Sequence, residues 1–317
     1  MPSLTFVSSA YNEEDCLEEL YSRLKNVMAA ESTYSWKLVI CDNSSTDNTW
    51  SIIESLASKD DRIFGIRMSR NFKLDAALTC GLDYCDSDAV IVMCSDLQDP
   101  PELIPEFLRG FENGFDQVLG KVTNRTHLGF IRRILSRLFY KIIFLATEGV
   151  VPENVSDFRL MSKRAYIAAR NLREKKRFLR GIMSWSGYST TEVMFERPAR
   201  HGGKSKFGSR RLLSVIFEAL ESIYAYSTFP ITAISAVGLM MSFVSLLIFI
   251  LVVFLVLFYG VPFAGFGTLI SVLLLGFSSL LLAVGVIGSY IGLIYDEVKN
   301  RPIYVIQETT HSPFLKG

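Results

Sequence analysis

Between Ser222 and Tyr295 the sequence contains no Asp, Glu, Lys, Arg or His. An ordinary globular surface does not go that long without a charge, so this stretch predicts a membrane-embedded part. Net charge is also nearly absent. With 33 Lys and Arg against 32 Asp and Glu the balance is +1, and no strong field favours nucleic acid or an acidic partner. Cysteine is sparse and odd in number: Cys16, Cys41, Cys80, Cys85 and Cys94 form no CxxC pair, and no His stands at metal-ligand spacing. That excludes a disulfide framework or a zinc knuckle and predicts reduced, mostly buried thiols in cytosol. His127 and His201 read as surface residues. GxGxxG and GxxxxGK[ST] are both missing, so the common dinucleotide and P-loop cradles are excluded. The opening Met1-Pro2-Ser3-Leu4-Thr5-Phe6 lacks the charged start and apolar core of a signal peptide, which predicts a cytosolic soluble part.

What is present divides the 317 residues near Pro230. A helix needs about 20 apolar residues to cross the hydrocarbon core. The uncharged stretch holds two such segments, about 231–258 and 267–294, separated by the turn chemistry of Tyr259-Gly260-Val261-Pro262. Each is apolar all round, which favours a transmembrane hairpin over buried core helices. Arg210 and Arg211 precede the first span, Lys299 and Arg301 follow the second, and the connecting loop carries no Lys or Arg. Both ends are therefore expected on the cytosolic side of a multi-pass membrane protein. Between 208 and 229, Leu212, Leu213, Ile216, Phe217, Leu220, Ile223 and Tyr224 recur at helical spacing. This is an amphipathic helix that either lies on the membrane surface or packs against the soluble part. The expected organisation is a cytosolic domain over 1–207, the amphipathic helix over 208–229, two spans within 230–295 and a cytosolic tail over 296–317.

The soluble part alternates strand and helix. Leu4–Val7, Trp36–Cys41, Ile63–Met68 and Ala89–Cys94 read as strands, with helices over Cys16–Met28, Thr49–Ser58 and Ala76–Tyr84. This order predicts an α/β fold with a mainly parallel sheet covered by helices on both faces. In such sheets ligands bind at the carboxyl ends of the strands. Polar clusters recur at those ends: Tyr11-Asn12-Glu13-Glu14, Asp42-Asn43-Ser44-Ser45, Ser69-Arg70-Asn71 and Ser95-Asp96-Leu97-Gln98-Asp99. With no phosphate cradle in the sequence, a phosphate ligand there calls for a carboxylate-bound Mg²⁺ or Mn²⁺.

The segment Asp96-Leu97-Gln98-Asp99-Pro100-Pro101-Glu102, with the three clusters before it and Asp157-Phe158-Arg159-Leu160-Met161-Ser162, resembles the polyprenyl-phosphate glycosyltransferases of glycosyltransferase family 2. The resemblance is nearest to bactoprenol glucosyltransferases of lipopolysaccharide O-antigen modification, with dolichol-phosphate mannose synthase a more distant relative. It spans the whole chain, including the ending from Tyr290 to Pro302. It implies a GT-A fold and inverting transfer of a hexose, glucose from UDP-glucose, to undecaprenyl phosphate at the cytosolic face of the bacterial inner membrane. Other donors with the same acceptor (GDP-mannose, UDP-GlcNAc or UDP-galactose) and a non-catalytic membrane scaffold are the alternatives. A homo-oligomer is implied as well.

Carried over by motif, Tyr11, Glu13, Asp42 and Ser44, with Asn71, would hold the nucleotide sugar. Asp96 and Gln98 would ligate the cation, and Asp157 would face the reacting sugar. Arg200 and Lys206 resemble a basic loop over the phosphates. Arg125 and Arg132, in a basic amphipathic segment with Arg133, Arg137 and Lys141, are the candidates for the acceptor phosphate; attraction to lipid headgroups is the competing reading. The sequence departs from the family where Cys94 stands in place of a common acid, because a neutral thiol is a poor ligand for Mg²⁺. For Asp42 the competing reading is a helix-capping acid at a strand-to-helix junction.

Overall fold

The computed structural model describes residues 1–123, 155–175, 179–198 and 266–310, together with isolated positions between 231 and 258. The chain divides into two compact units, residues Met1–Val215 with Arg301–Gly317, and Ile216–Asn300.

The first unit is built on an eight-stranded sheet in the order β7-β5-β6-β4-β1-β2-β3-β8. In chain order its elements are β1 (Ser3–Ala10), α1 (Leu17–Ala30), β2 (Ser35–Asp42), α2 (Thr49–Lys59), β3 (Ile63–Met68), α3 (Leu74–Asp83), β4 (Ala89–Cys94) and α4 (Ile104–Glu112). There follow β5 (Gln117–Val122), β6 (Val155–Ser162), α5 (Lys163–Asn171), α6 (Leu179–Trp185), β7 (Thr190–Phe195) and β8 (Ile306–Thr309). The pairs β1–β2, β1–β4, β2–β3 and β5–β7 are parallel, whereas β6 runs antiparallel to β4 and β5, and β8 antiparallel to β3. All strands but β6 and β8 therefore point the same way. The four expected strands and three expected helices are present, with ends shifted by a few residues.

Alternation along β1 sorts the side chains between the two faces. Leu4 and Phe6 join Leu17, Leu20 and Leu24 of α1, Trp50 and Ile53 of α2, and Phe107 and Leu108 of α4 in one core. Val7 points the other way, under α3. Gly81 of α3 comes so close that an added Cβ would lie 2.3 Å from Val7 Cγ1 and 3.3 Å from Cys41 Sγ. Only glycine permits that approach. Cys16, Cys41, Cys80 and Cys85 are buried and unbridged, as the sequence predicts, and Cys94 is half-buried.

The strand β8 was not anticipated in the tail. It lies after the second unit in sequence, yet Thr310 N–H donates to Gly65 O (3.1 Å), Ser69 N–H donates to Val305 O (2.9 Å) and Gly65 N–H donates to Thr310 Oγ1 (3.0 Å). Tyr304 donates its hydroxyl to Asp83 (2.7 Å) just ahead of the strand. The edge of β3 is thereby covered.

In the second unit, among the described residues, one helix is long and apolar enough to cross a membrane: α7 (Phe266–Val298), over its 23-residue part Gly276–Val298. It covers the residues of the second expected span and runs on past Tyr295 through Asp296, Glu297 and Val298. Leu280, Leu281, Val284, Ile291 and Ile294 are exposed along it. The described positions of 231–258 are helical; the rest of that expected span and the amphipathic segment 208–229 lie outside the described residues.

Candidate active site

Four non-glycine residues with left-handed backbone stand just beyond the carboxyl ends of β1 to β4: Asn12 (φ 54°), Ser44 (φ 62°), Lys73 (φ 73°) and Leu97 (φ 60°). Such residues are uncommon and concentrate where surrounding structure over-determines them. Here they mark the rim at which the sequence places its polar clusters.

The first three loops are knitted together. Asn12 N–H donates to Ser45 Oγ (2.9 Å) and its side-chain carbonyl accepts from Thr46 N–H (2.9 Å). Glu13 N–H donates to Thr49 Oγ1 (2.9 Å), and Phe72 N–H to Asn43 Oδ1 (2.8 Å). Tyr11 and Ser44 are half-buried, Glu13 is buried and Asn71 is exposed. Asn71 accepts from Lys73 N–H (2.9 Å), which helps to fix the turn into α3.

Asp42 closes β2 with no exposure to solvent. Its Oδ1 accepts from Ser45 N–H (3.0 Å) and from the Ser45 hydroxyl. α2 begins only at Thr49, so Asp42 is a turn acid and not a helix cap. Its Oδ2 has no hydrogen-bond partner, although Arg67 Nε lies 3.4 Å away. Burial pushes the carboxyl upward, against the Ser45 hydrogen bonds and the Arg67 charge. A buried acceptor without a donor is costly, and it suits a ligand that brings one.

Two strands away, β4 ends in the Asp96 loop. At about 4.8 Å per strand, the ends of β2 and β4 are roughly 10 Å apart, a span on the scale of a nucleoside diphosphate. Asp96 is half-exposed, and Gln98 N–H donates to its Oδ1 (3.1 Å) across the left-handed Leu97. Asp99 is fully buried, accepts from Cys94 N–H (3.0 Å) and faces Arg197 at 3.4 Å. Burial raises the Asp99 carboxyl to about 6 against the pull of Arg197. The Cys94 thiol is pushed well above its ordinary value by burial and then by Asp99, Asp96 and Asp157. It is a protonated thiol at neutral pH, which makes it a poor metal ligand.

Asp157 comes from β6. Val92 pairs with Arg159, and two further residues of that register set Asp157 opposite Cys94. Arg180 of α6 clamps it with two charge-assisted bonds, Nε to Oδ1 at 3.1 Å and Nη2 to Oδ2 at 2.6 Å. Burial acts to raise the Asp157 carboxyl, but Arg180, with Arg159 and Arg197, outweighs it and holds the group below its ordinary range. Arg159 itself is fully buried and, among the described residues, its side chain bonds only Ser156 O (3.2 Å), with Nε and Nη1 unpaired. Burial lowers it to about 10.

Asp96, Asp99, Asp157 and Cys94 thus share one electrostatic neighbourhood, and Asp42 sits along the same rim. Arg67, Arg180 and Arg197 were missed in the sequence. Arg67 carries the detectable signal, a charge inside the otherwise apolar run of β3. Arg125, Arg132, Arg200 and Lys206 lie outside the described residues. Among the described residues no group of three or more His, Cys, Asp or Glu is placed to hold a metal ion.

A sheet of this order, with acidic loops gathered at the carboxyl ends of its parallel strands, defines a GT-A-type glycosyltransferase. The model of glycosyl transferase family 2 matches residues 5–169. The chain belongs to that family and is a glycosyltransferase. It is 36% identical over 307 residues to the SfII prophage-derived bactoprenol glucosyl transferase of Shigella flexneri, covering 96% of this chain and 98% of the relative. It is 34% identical over 305 residues to the glycosyltransferase YkcC of Bacillus subtilis, covering 96% and 93%. Among solved structures, glucosyl-3-phosphoglycerate synthase of Mycobacterium tuberculosis with Mn²⁺ and UDP matches at 16% identity and a TM-score of 0.48, over 70% of this chain and 78% of that one.

Proposed function

We propose that the protein transfers glucose from UDP-glucose to undecaprenyl phosphate at the cytosolic face of a membrane, with inversion at the anomeric carbon. The observation that carries this reading is the single rim that sets an open buried acceptor on Asp42 about two strands from the Asp96–Asp157 cluster. The bactoprenol glucosyl transferase relatives support the acceptor and the sugar. α7 supports the membrane location, and the reading includes a second span over 231–258, the amphipathic helix over 208–229, and a catalytic domain over 1–207 joined by the strand β8.

Tyr11, Glu13, Ser44 and Asn71 would line the nucleoside end with Asp42, and Arg200 and Lys206 would face the diphosphate. Asp96 accepts only one hydrogen bond among the described residues, and Gln98 beside it is half-buried. That donor set fits a hard cation held mostly by the diphosphate's own oxygens, and it does not fit one caged by protein acids. When bound, the cation stabilises charge on the departing diphosphate. A phosphate oxygen of the lipid, placed by Arg125 and Arg132, attacks the anomeric carbon. The bond from that carbon to the diphosphate oxygen breaks, and UDP leaves with the electron pair. The acceptor is already an anion, so no base has to remove a proton. Asp157, kept ionised by Arg180, orients the sugar and offsets positive charge developing at the anomeric carbon.

The test is transfer of labelled sugar to undecaprenyl phosphate by the full chain in detergent with Mg²⁺ or Mn²⁺. UDP-glucose should be the best donor, and Asp96→Asn should lower turnover about a hundredfold or more. Absence of transfer from UDP-glucose, GDP-mannose, UDP-GlcNAc and UDP-galactose alike overturns the proposal.

A further inference from the structure

Three charges stand in one row across the sheet edge. Asp42 of β2 is the register partner of Arg67 of β3, and Arg67 is the register partner of Glu308 of β8. Register partners share a face, so all three side chains lie on the same side. Arg67 Nη1 donates to Glu308 Oε1 at 3.0 Å, across 241 positions of sequence. Its Nε faces Asp42 Oδ2 at 3.4 Å, yet neither of these two buried atoms makes a hydrogen bond. One guanidinium is therefore shared by two carboxylates, and the outer one holds the hydrogen bond. Arg67 also lies 5.7 Å from the ring centroid of Trp50, which limits where the guanidinium can go.

We infer that Glu308 is a positioning residue for donor binding: by holding the guanidinium of Arg67 outward it keeps Asp42 Oδ2 open for a hydrogen-bond donor of the nucleotide. An arginine facing one carboxylate prefers the two-pronged fork. Without Glu308, Arg67 turns that fork onto Asp42 and occupies the acceptor. This inference rests on the reading of Asp42 as part of the nucleotide site and adds the reason its acceptor stays open. It also gives β8, which lies beyond the long apolar helix in sequence, a part in the site.

The probe is UDP, titrated calorimetrically into the full chain in detergent. Glu308→Gln should weaken UDP about threefold at pH 7.5, the scale of a partly exposed pair, and raise the KM for the donor with kcat unchanged. The pH profile separates positioning from loosening of the strand. The charged groups acting on Asp42 are Arg67 of β3 and Asp47 of its own loop. A closer Arg67 favours the ionised carboxylate, so in Glu308→Gln the acid limb of UDP binding should move to lower pH. In Arg67→Gln it should move to higher pH. Thr310→Val removes the bond to Gly65 on the same segment without touching the charge row, and should bind UDP as the unaltered chain does. Equal affinity of Glu308→Gln and the unaltered chain, limbs that move the same way in both variants, or an equal loss in Thr310→Val overturns the inference. Failure of the unaltered chain to bind either UDP or GDP overturns the donor reading of Asp42 itself.

Discussion

Replacing Arg180 by Met leaves the Asp157 carboxylate in its pocket without the fork that holds it. Removing one partner of a buried pair costs about 3–5 kcal/mol, because the other charge stays behind unpaired. Here the side chains retain 19% and 16% exposure, so solvent recovers part of the loss and about 2–3 kcal/mol is expected. For a domain of this size that is a fall in Tm of roughly 5–10 °C. The cost should depend on pH. In the unaltered chain the folded Asp157 titrates below its unfolded value, so its contribution is present above about pH 4 and is lost as pH falls through the folded value. In the variant, burial raises the folded value, and a penalty grows as pH climbs past about 4. The gap between the two proteins is therefore widest near neutrality and closes in acid. Thermal unfolding followed by tryptophan fluorescence at pH 4.5 and 7.5 measures it, and the Asp157→Asn/Arg180→Met pair should regain much of the loss, since an amide needs no counter-charge. A loss under about 1 kcal/mol, an equal loss at both pH values, or no recovery in the pair would refute the clamp.

Two other changes probe the site and the core. Asp99 titrates at about 6 when folded, above its unfolded value, so its ionisation costs stability that is absent below about pH 4 and complete above about pH 6. Asp99→Asn should flatten that part of the stability–pH curve and gain up to about 3 kcal/mol at pH 7.5, a figure in which the pull of Arg197 is already included. Gly81→Ala drives a methyl into Val7 and should cost about 1–3 kcal/mol in thermal unfolding, with recovery when Val7→Ala is added.

The first half of the sheet was legible because β1 to β4 are apolar runs ended by polar clusters, the first three each followed by a helical period. β6 was harder to see. Its sequence Val155–Ser162 carries Asp157 and the buried Arg159 inside the strand, and a buried charge defeats any reading based on apolar runs. β5 and β7 mix polar and apolar residues at a sheet margin, and β8 is four residues long. Of the site, the acids at strand ends could be read because their loops are local. Arg180 and Arg197 reach Asp157 and Asp99 from 23 and 98 positions away, and no local pattern announces such partners. Asp42 was read as a ligand contact or a capping acid. The fold makes it a turn acid with one oxygen left over, which local spacing alone does not reveal.

The placement of β8 has a consequence for how the chain is made. Ribosomal synthesis releases the catalytic sheet with the margin of β3 uncovered, then the long apolar helix, and only afterwards the segment that seals the margin. Folding of the first unit is thus completed after the hydrophobic stretch has left the ribosome, which ties closure of the Asp42–Arg67–Glu308 row to the synthesis of that stretch. A fragment cut ahead of Tyr304 keeps every acid of the rim but bares a ready template for sticking to its own kind.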